Sequence, residues 1–210
     1  MKKSLISLLI VAAALIASAL TYADMPDRLP IHWNAAGEID RFTSKAFALF
    51  FLPGLMALLI AMFRVIPLLD AKKQNYEKFE SSIRILENVV LLGLLVFHGI
   101  TIGYGYGMEI NVSMIVPPVI GIIFVALGNY MPRFQPNSHV GIKTASTLGN
   151  ETVWRKTHQA TAKFYVIGGL LMILTAFVPA PFQSVAFLCI IVGVALSTIF
   201  VSMRYTKKRF

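Results

Sequence analysis

Few side chains in this 210-residue chain can do acid–base, nucleophilic or metal chemistry, and their spacing limits what that chemistry is. The four histidines are His32, His98, His139 and His158. His139 and His158 stand 19 residues apart with no cysteine or second acid pair nearby, which lacks the ligand spacing of a metal site. His32 has no second histidine near it in sequence. Cys189 is the single cysteine and lies in an apolar run, so no internal disulfide is possible and the thiol behaves as a small hydrophobe. Glu87 and His98 fall inside one apolar run, 11 residues apart. That puts them on roughly one helix face but about 16 Å apart by helix rise, too far to act as one acid–base pair. A proton path joining them keeps an intramembrane enzyme or small transporter as the alternative function. The bland expectation is that Glu87 pairs with Arg84 or Lys163 and that His98 is a helix-interface histidine. No catalytic, cofactor-binding or metal-ligating set emerges, which favours a non-enzyme.

The elements that must carry these residues are membrane helices. Hydrophobic residues make up 57% of the chain and charged residues 14%, against roughly a quarter charged in soluble domains. Six continuous apolar runs come near the length of about 20 residues that a bilayer core needs. They are Leu5–Tyr22, Ala46–Ile66, Ile83–Gly103, Ser113–Tyr130, Thr161–Phe177 and Ser184–Met203. Because the runs do not alternate, they predict helices and not barrel strands, hence an all-α polytopic membrane protein. The first run also has the basic start and the Ala17-x-Ala19 site of a signal peptide. Its length and the five later spans favour a retained helix. Pro53 is expected in the first turns of the second helix, and Pro117 and Pro118 are expected to bend the fourth helix or mark its start.

Basic residues set the orientation. Of 19 Lys and Arg, only Arg28, Arg41 and Lys45 fall in the connections assigned to the outer face. The rest flank the first span (Lys2, Lys3) or follow the second, fourth and sixth, so both termini are expected in the cytoplasm. The net charge of +9 is therefore a membrane-orientation signal and not a nucleic-acid footprint. The predicted organisation is a helix pair over 1–69 with an outer loop at 24–45, a linker and third helix over 70–112, and a C-terminal unit over 113–210 with a cytoplasmic loop at 131–160.

The outer loop has dense turn signals. Pro26 and Pro30 restrict it, Leu29–Trp33 reads as a short extended piece, and "NAAG" offers an Asn-initiated turn closing on Gly37. Thr43 or Ser44 is positioned to cap the second helix. Trp33 and Phe42 fit interface anchors with Lys45 snorkelling, or a docking surface for an extracellular partner. In the inner loop, Asn129 at the end of the fourth span is expected to bond another helix or a free carbonyl. Gly141 is expected at a backbone position that a side chain would block. Asn150 is the better cap for a helix from Glu151, with Trp154 facing the membrane and Arg155, Lys156 and Lys163 meeting anionic lipid headgroups.

The stretch "MPDRLPIHWNAAGEIDRFTSK" resembles a short bacterial domain of unknown function, through Pro26, Leu29, Pro30, His32, Trp33, Gly37, Asp40 and Lys45. "GNYMPRFQPNSHVGIKTASTLGNETVW" resembles the signature of the SdpI family, at Gly128, Asn129, Met131, Asn137, Gly141, Ile142, Thr144, Thr147, Leu148, Val153 and Trp154. Lys143, Ala145 and Ser146 depart from the family's Arg, Pro and Trp. The resemblance implies an integral bacterial plasma-membrane protein giving immunity against a secreted antimicrobial peptide of the sporulation-delaying type. It also implies a possible second role, holding a soluble transcriptional repressor at the cytoplasmic face. The candidate partner-binding residues are then His32, Trp33, Gly37, Asp40 and Lys45 outside, and Asn129, Asn137, Gly141, Lys143, Thr147 and Trp154 inside.

Overall fold

A computed structural model describes residues 5–179 and 182–207. The basic flanks Lys2, Lys3, Lys208 and Arg209 lie outside the described residues. The chain folds as α1 (Leu5–Thr21), a hairpin of β1 (Arg28–Trp33) and β2 (Ile39–Ser44), α2 (Lys45–Leu69), the short α3 (Lys73–Glu77) and α4 (Glu80–Gly105). Then come α5 (Val112–Tyr130), a 3-10 turn at Met131–Arg133, the short α6 (Ala145–Gly149), α7 (Glu151–Leu174), a second 3-10 turn at Thr175–Phe177, and α8 (Phe182–Lys207). The five helices α2, α4, α5, α7 and α8 are long and apolar enough to cross a membrane, which makes this a multi-pass membrane protein. α1 is apolar but has 17 residues. Its outer faces and those of α8 expose Leu8, Leu9, Leu188, Leu196 and Phe200, as lipid-facing helices do.

α1, α2 and α4 pack together, and polar bonds join them. Pro53 lies in the third turn of α2, deeper than expected, and is buried. Lacking an N–H, it leaves the Leu49 carbonyl without its helical donor. Ser18 of α1 supplies the replacement: its Oγ donates to Leu49 O at 2.6 Å. The His98 ring of α4 then bonds the same hydroxyl through Nε2, at 3.0 Å. Ser18 Oγ also lies 3.0 Å from Ala14 O, so its one proton has two carbonyls within reach, and the direction of the Ser18–His98 bond follows the tautomer of the ring. Ser7 of α1 donates to Asn88 Oδ1 of α4 at 2.7 Å. Arg64 of α2 grips Glu87 of α4 with two bonds of 2.7 and 3.1 Å, so Glu87 pairs with Arg64 and not with Arg84 or Lys163. Arg84 instead meets Glu80, 3.5 Å away. Glu87 and His98 thus serve separate helix contacts, and no bond links them.

α5, α7 and α8 form the other half. Between lipid-exposed helices there is no hydrophobic driving force, so close backbone approach must supply the packing. Gly121 and Gly128 of α5 meet Gly169 and Ala162 of α7. A Cβ at Gly121 would lie 2.5 Å from Gly169 O, and one at Gly128 would lie 2.7 Å from Ala162 O. The 7-residue spacing on both helices repeats the contact two turns on, with the helices antiparallel. Pro117 and Pro118 sit in the second turn of α5 without marking its start. Pro117 frees the Ser113 carbonyl, and Gln183 Nε2 at the head of α8 donates to it at 2.6 Å. α7 is one continuous helix from Glu151, so the stretch from Glu151 and the fifth span are a single helix. Its first turns bury Val153, Trp154, Thr157, His158, Thr161 and Ala162 along one stripe.

Candidate functional site

The two polar elements occupy opposite ends of the bundle: a β-hairpin at one end and a folded loop at the other. At the hairpin end, β1 and β2 pair antiparallel in the register Leu29–Thr43, Pro30–Phe42 and Trp33–Ile39, with an irregularity between Pro30 and Trp33. Asn34 builds the turn. Its Oδ1 accepts from Ala36 N at 2.9 Å and Glu38 N at 3.0 Å, and Gly37 takes φ +81°. A side chain on Gly37 would also strike Ser113 Oγ of α5, so the turn is seated on the helix end. Ser44 caps α2 through Phe47 N. Lys45 holds the incoming chain: Nζ donates to Met25 O at 3.2 Å, lies 3.4 Å from Asp27, and sits over the Tyr22 ring. His32 and Asp40 bond across the strands at 2.6 Å on the exposed face.

The inward face of the hairpin is apolar and does the anchoring. Leu29 and Met25 are buried against Ala48, Leu49 and Ile102. Trp33 packs on Tyr104, ring centroids 5.6 Å apart, and Tyr104 Oη donates to Ile110 O at 2.6 Å. Trp33 is therefore half-buried between the hairpin and α4 and does not project from the loop tip. Beneath it, a cavity of about 470 Å³ opens between α2, α4 and α5.

At the other end, the loop after α5 folds back as a clasp over α2, α3, α4 and α7. Asn137, 1% exposed, accepts from His139 N, Val140 N and Tyr76 Oη and donates to Gln135 O and Val140 O. Asp70, just beyond α2, accepts from Lys72 N and Ser138 N and shares the one Tyr76 Oη proton with Asn137, at 2.9 Å against 3.1 Å, and His139 Nδ1 lies 3.0 Å away. Burial pushes the Asp70 carboxyl up, but these hydrogen bonds outweigh it and hold the group well below the usual carboxylate range. The Tyr76 phenol is correspondingly raised by burial and by the neighbouring carboxylate.

Gly141 has φ +121°, and a Cβ there would lie 2.5 Å from His158 Nε2 and 3.2 Å from the Trp154 ring. The His158 imidazole accepts from Ile142 N at 2.9 Å and contacts Trp154 O through Nδ1 at 2.8 Å, a pairing that requires the neutral ring with its proton on Nδ1. Trp154 does not face the membrane. It is fully buried, donates from Nε1 to Phe134 O at 2.8 Å, and stacks on His158. Thr147 completes a capping box with Thr144 and donates to Ile142 O. Asn150 caps α7 through Thr152 N and Val153 N.

The structure thus brings His32, Trp33, Gly37, Asp40 and Lys45 into one hairpin, and Asn137, Gly141, Thr147 and Trp154 into one clasp. Lys143 is exposed on the clasp rim. Asn129 stands apart: it is exposed on α5 and bonds no other helix among the described residues, and its neighbour Gly128 makes the helix contact instead. Sequence reasoning missed Asp70, Tyr76, Arg64 and Ser18. The clue to Ser18 was Pro53, whose freed carbonyl needs a donor. Among the described residues, no group of three His, Cys, Asp or Glu side chains could hold a metal ion.

Residues 9–57 match the model of the domain of unknown function DUF1648, which covers most of α1, the hairpin and the first half of α2. Residues 133–206 match the SdpI/YfhL protein family, from the clasp to α8. The chain is 26% identical over 208 residues to the protein named "Immunity protein SdpI" of Bacillus subtilis (strain 168), covering 99% of this chain and 98% of that one. No solved structure matches.

Proposed function

We propose, from that whole-length likeness, that this chain is an immunity protein of the bacterial plasma membrane that protects its cell against a secreted, membrane-active peptide of the sporulation-delaying type. The observation that carries the reading is a likeness to an immunity protein spanning both polar elements at once. We read its action as binding; the contacts of Glu87 with Arg64 and of His98 with Ser18 support helix-packing roles for those two side chains.

The chain crosses the membrane six times with both termini cytoplasmic. α1 supports this count because it runs beside α4 for its length, Ser7 meeting Asn88 and Ser18 meeting His98. The basic residues support the orientation, which places the hairpin outside, where a secreted peptide arrives. The clasp faces the cytoplasm. Lys72, Lys73, Lys143 and Arg155 are exposed there and suit anionic lipid or an acidic soluble repressor. The buried clasp residues act as the scaffold for that surface. The test is expression in a strain killed by such a peptide, with colony survival and membrane potential read under challenge. Preserved potential in expressing cells supports the function; equal killing with and without the protein overturns it.

A further inference from the structure

We infer that the trough beneath the hairpin is the docking site for a cationic, apolar peptide segment, an inference that rests on the immunity reading and gives it an address. Two cavities, of about 470 Å³ and 290 Å³, meet under β1. They share Ile31, Trp33, Val112 and Val116, so they form one continuous trough running from the α2–α4 side toward the head of α8. The larger part is walled by aromatic side chains, with Phe47 and Phe51 stacked at 4.9 Å and both about half exposed, and Thr101 its sole hydroxyl. The smaller part ends in polar groups, Asn34, Ser113 and Gln183. An apolar body with polar groups at one end suits a peptide side chain run and its backbone better than a featureless alkyl chain.

Charge selects the occupant. The chain as a whole carries +9. The hairpin end reverses that sign, with Asp24, Asp27, Glu38, Asp40 and Glu109 against Arg28, Arg41 and Lys45, a formal −2. Glu38 and Glu109 are exposed there. An acidic bundle end that also bears an apolar trough, on an otherwise basic protein, favours a cationic apolar peptide and disfavours an anionic lipid headgroup. Both parts of the trough lie at the bundle end, where a peptide partitioned at the membrane interface meets them without crossing the bilayer.

The test uses the full chain in phosphatidylcholine nanodiscs and a synthetic 20-residue Leu/Ala helix with four terminal lysines and a dansyl group. Trp33 is the reporter, because Trp154 is fully buried at the far end and gives a constant background. Energy transfer from Trp33 to the lysine peptide is expected, with about tenfold weaker affinity for the same helix carrying glutamates. Val116→Phe, which fills the junction of the two cavities, should weaken the lysine peptide by about tenfold or more, and the charge reversals Glu38→Lys and Glu109→Lys should each weaken it while leaving the cavity open. Equal transfer to both peptides, or no effect of Val116→Phe in a variant of normal helicity, overturns the inference. So does quenching of Trp33 by dibrominated phosphatidylcholine that the lysine peptide cannot displace, since lipid then owns the trough. The two readings separate in cells: wild type protecting no better than Val116→Phe leaves immunity standing without the trough, and binding without protection does the reverse.

Discussion

Removing the Ser18 hydroxyl should destabilise the α1–α2–α4 half by an amount that depends on whether residue 53 is proline. In the native chain, Ser18 donates to Leu49 O at 2.6 Å and its hydroxyl bonds His98 Nε2 at 3.0 Å. Ser18→Ala removes the donor to the Leu49 carbonyl and the side-chain partner of His98 Nε2. A stranded buried group costs roughly 1–3 kcal/mol in water-soluble proteins. Interhelical bonds in membranes average closer to 0.6 kcal/mol, up to about 1.7. Two lost partners therefore cost roughly 2–6 kcal/mol on the first scale and about 1.2, up to about 3.4, kcal/mol on the second, and the membrane scale is the one that applies here. Pro53→Ala changes the outcome, because the alanine restores a backbone N–H that can bond Leu49 O along the helix. In that background Ser18→Ala removes only the partner of His98, and its cost should fall by about 0.5–1.5 kcal/mol. The assay is equilibrium unfolding of the full chain in mixed detergent micelles, by circular dichroism, for the wild type, both single variants and the double. Additivity within about 0.3 kcal/mol would refute the idea that Ser18 stands in for the missing proline N–H.

The pair of partly exposed Arg64 and buried Glu87 should behave likewise: Glu87→Gln alone costs up to about 3–5 kcal/mol in the same unfolding assay, whereas pairing Arg64→Met with Glu87→Leu recovers most of it. Gly141→Ala forces a Cβ against His158 at φ +121° and should cost about 1–3 kcal/mol, read as faster proteolysis of the clasp, while Gly149→Ala, with open space around it, stays neutral. The Asp70 carboxyl is held below its ordinary value of 3.8, so its contribution is complete above that pH and is lost as pH falls further through the depressed folded value. Asp70→Asn should abolish that acid-dependent loss; an unchanged acid profile would contradict it. With Cys189 replaced by serine, a cysteine at Ala36 should label with an impermeant thiol reagent in intact cells and one at Ser138 only after lysis.

The spans were legible because lipid rewards unbroken apolar runs, and the caps were legible because Ser44 and Asn150 have few other uses before a helix. The hairpin turn at Asn34–Gly37 followed from residue types alone. What sequence could not convey was which polar groups find each other across distant segments. Glu87 had plausible cations at 84 and 163, yet Arg64 reaches it because α2 and α4 pack side by side. Trp154 read as a membrane-facing aromatic because periodicity cannot tell a lipid-facing stripe from one covered by a loop, and here the Phe134–Ile142 segment covers it. The motif residues Asn137, Gly141, Thr147 and Trp154 were recognisable as a set. Only their mutual bonds reveal that the set builds the loop itself and leaves the rim, with Lys143, to meet anything else.

The central claim is that protection is exerted at the hairpin end. The most direct measurement is survival of a peptide-sensitive strain expressing wild type, Trp33→Ala or Lys143→Glu at matched membrane abundance, under graded peptide challenge. Trp33→Ala removes one of the four side chains shared by both parts of the trough and should lower the protective concentration range by about thirtyfold, the equivalent of a roughly 2 kcal/mol contact. Lys143→Glu alters only the exposed clasp rim and should protect as wild type does. Full protection by Trp33→Ala together with lost protection by Lys143→Glu would contradict the account and move the protective surface to the opposite end of the bundle.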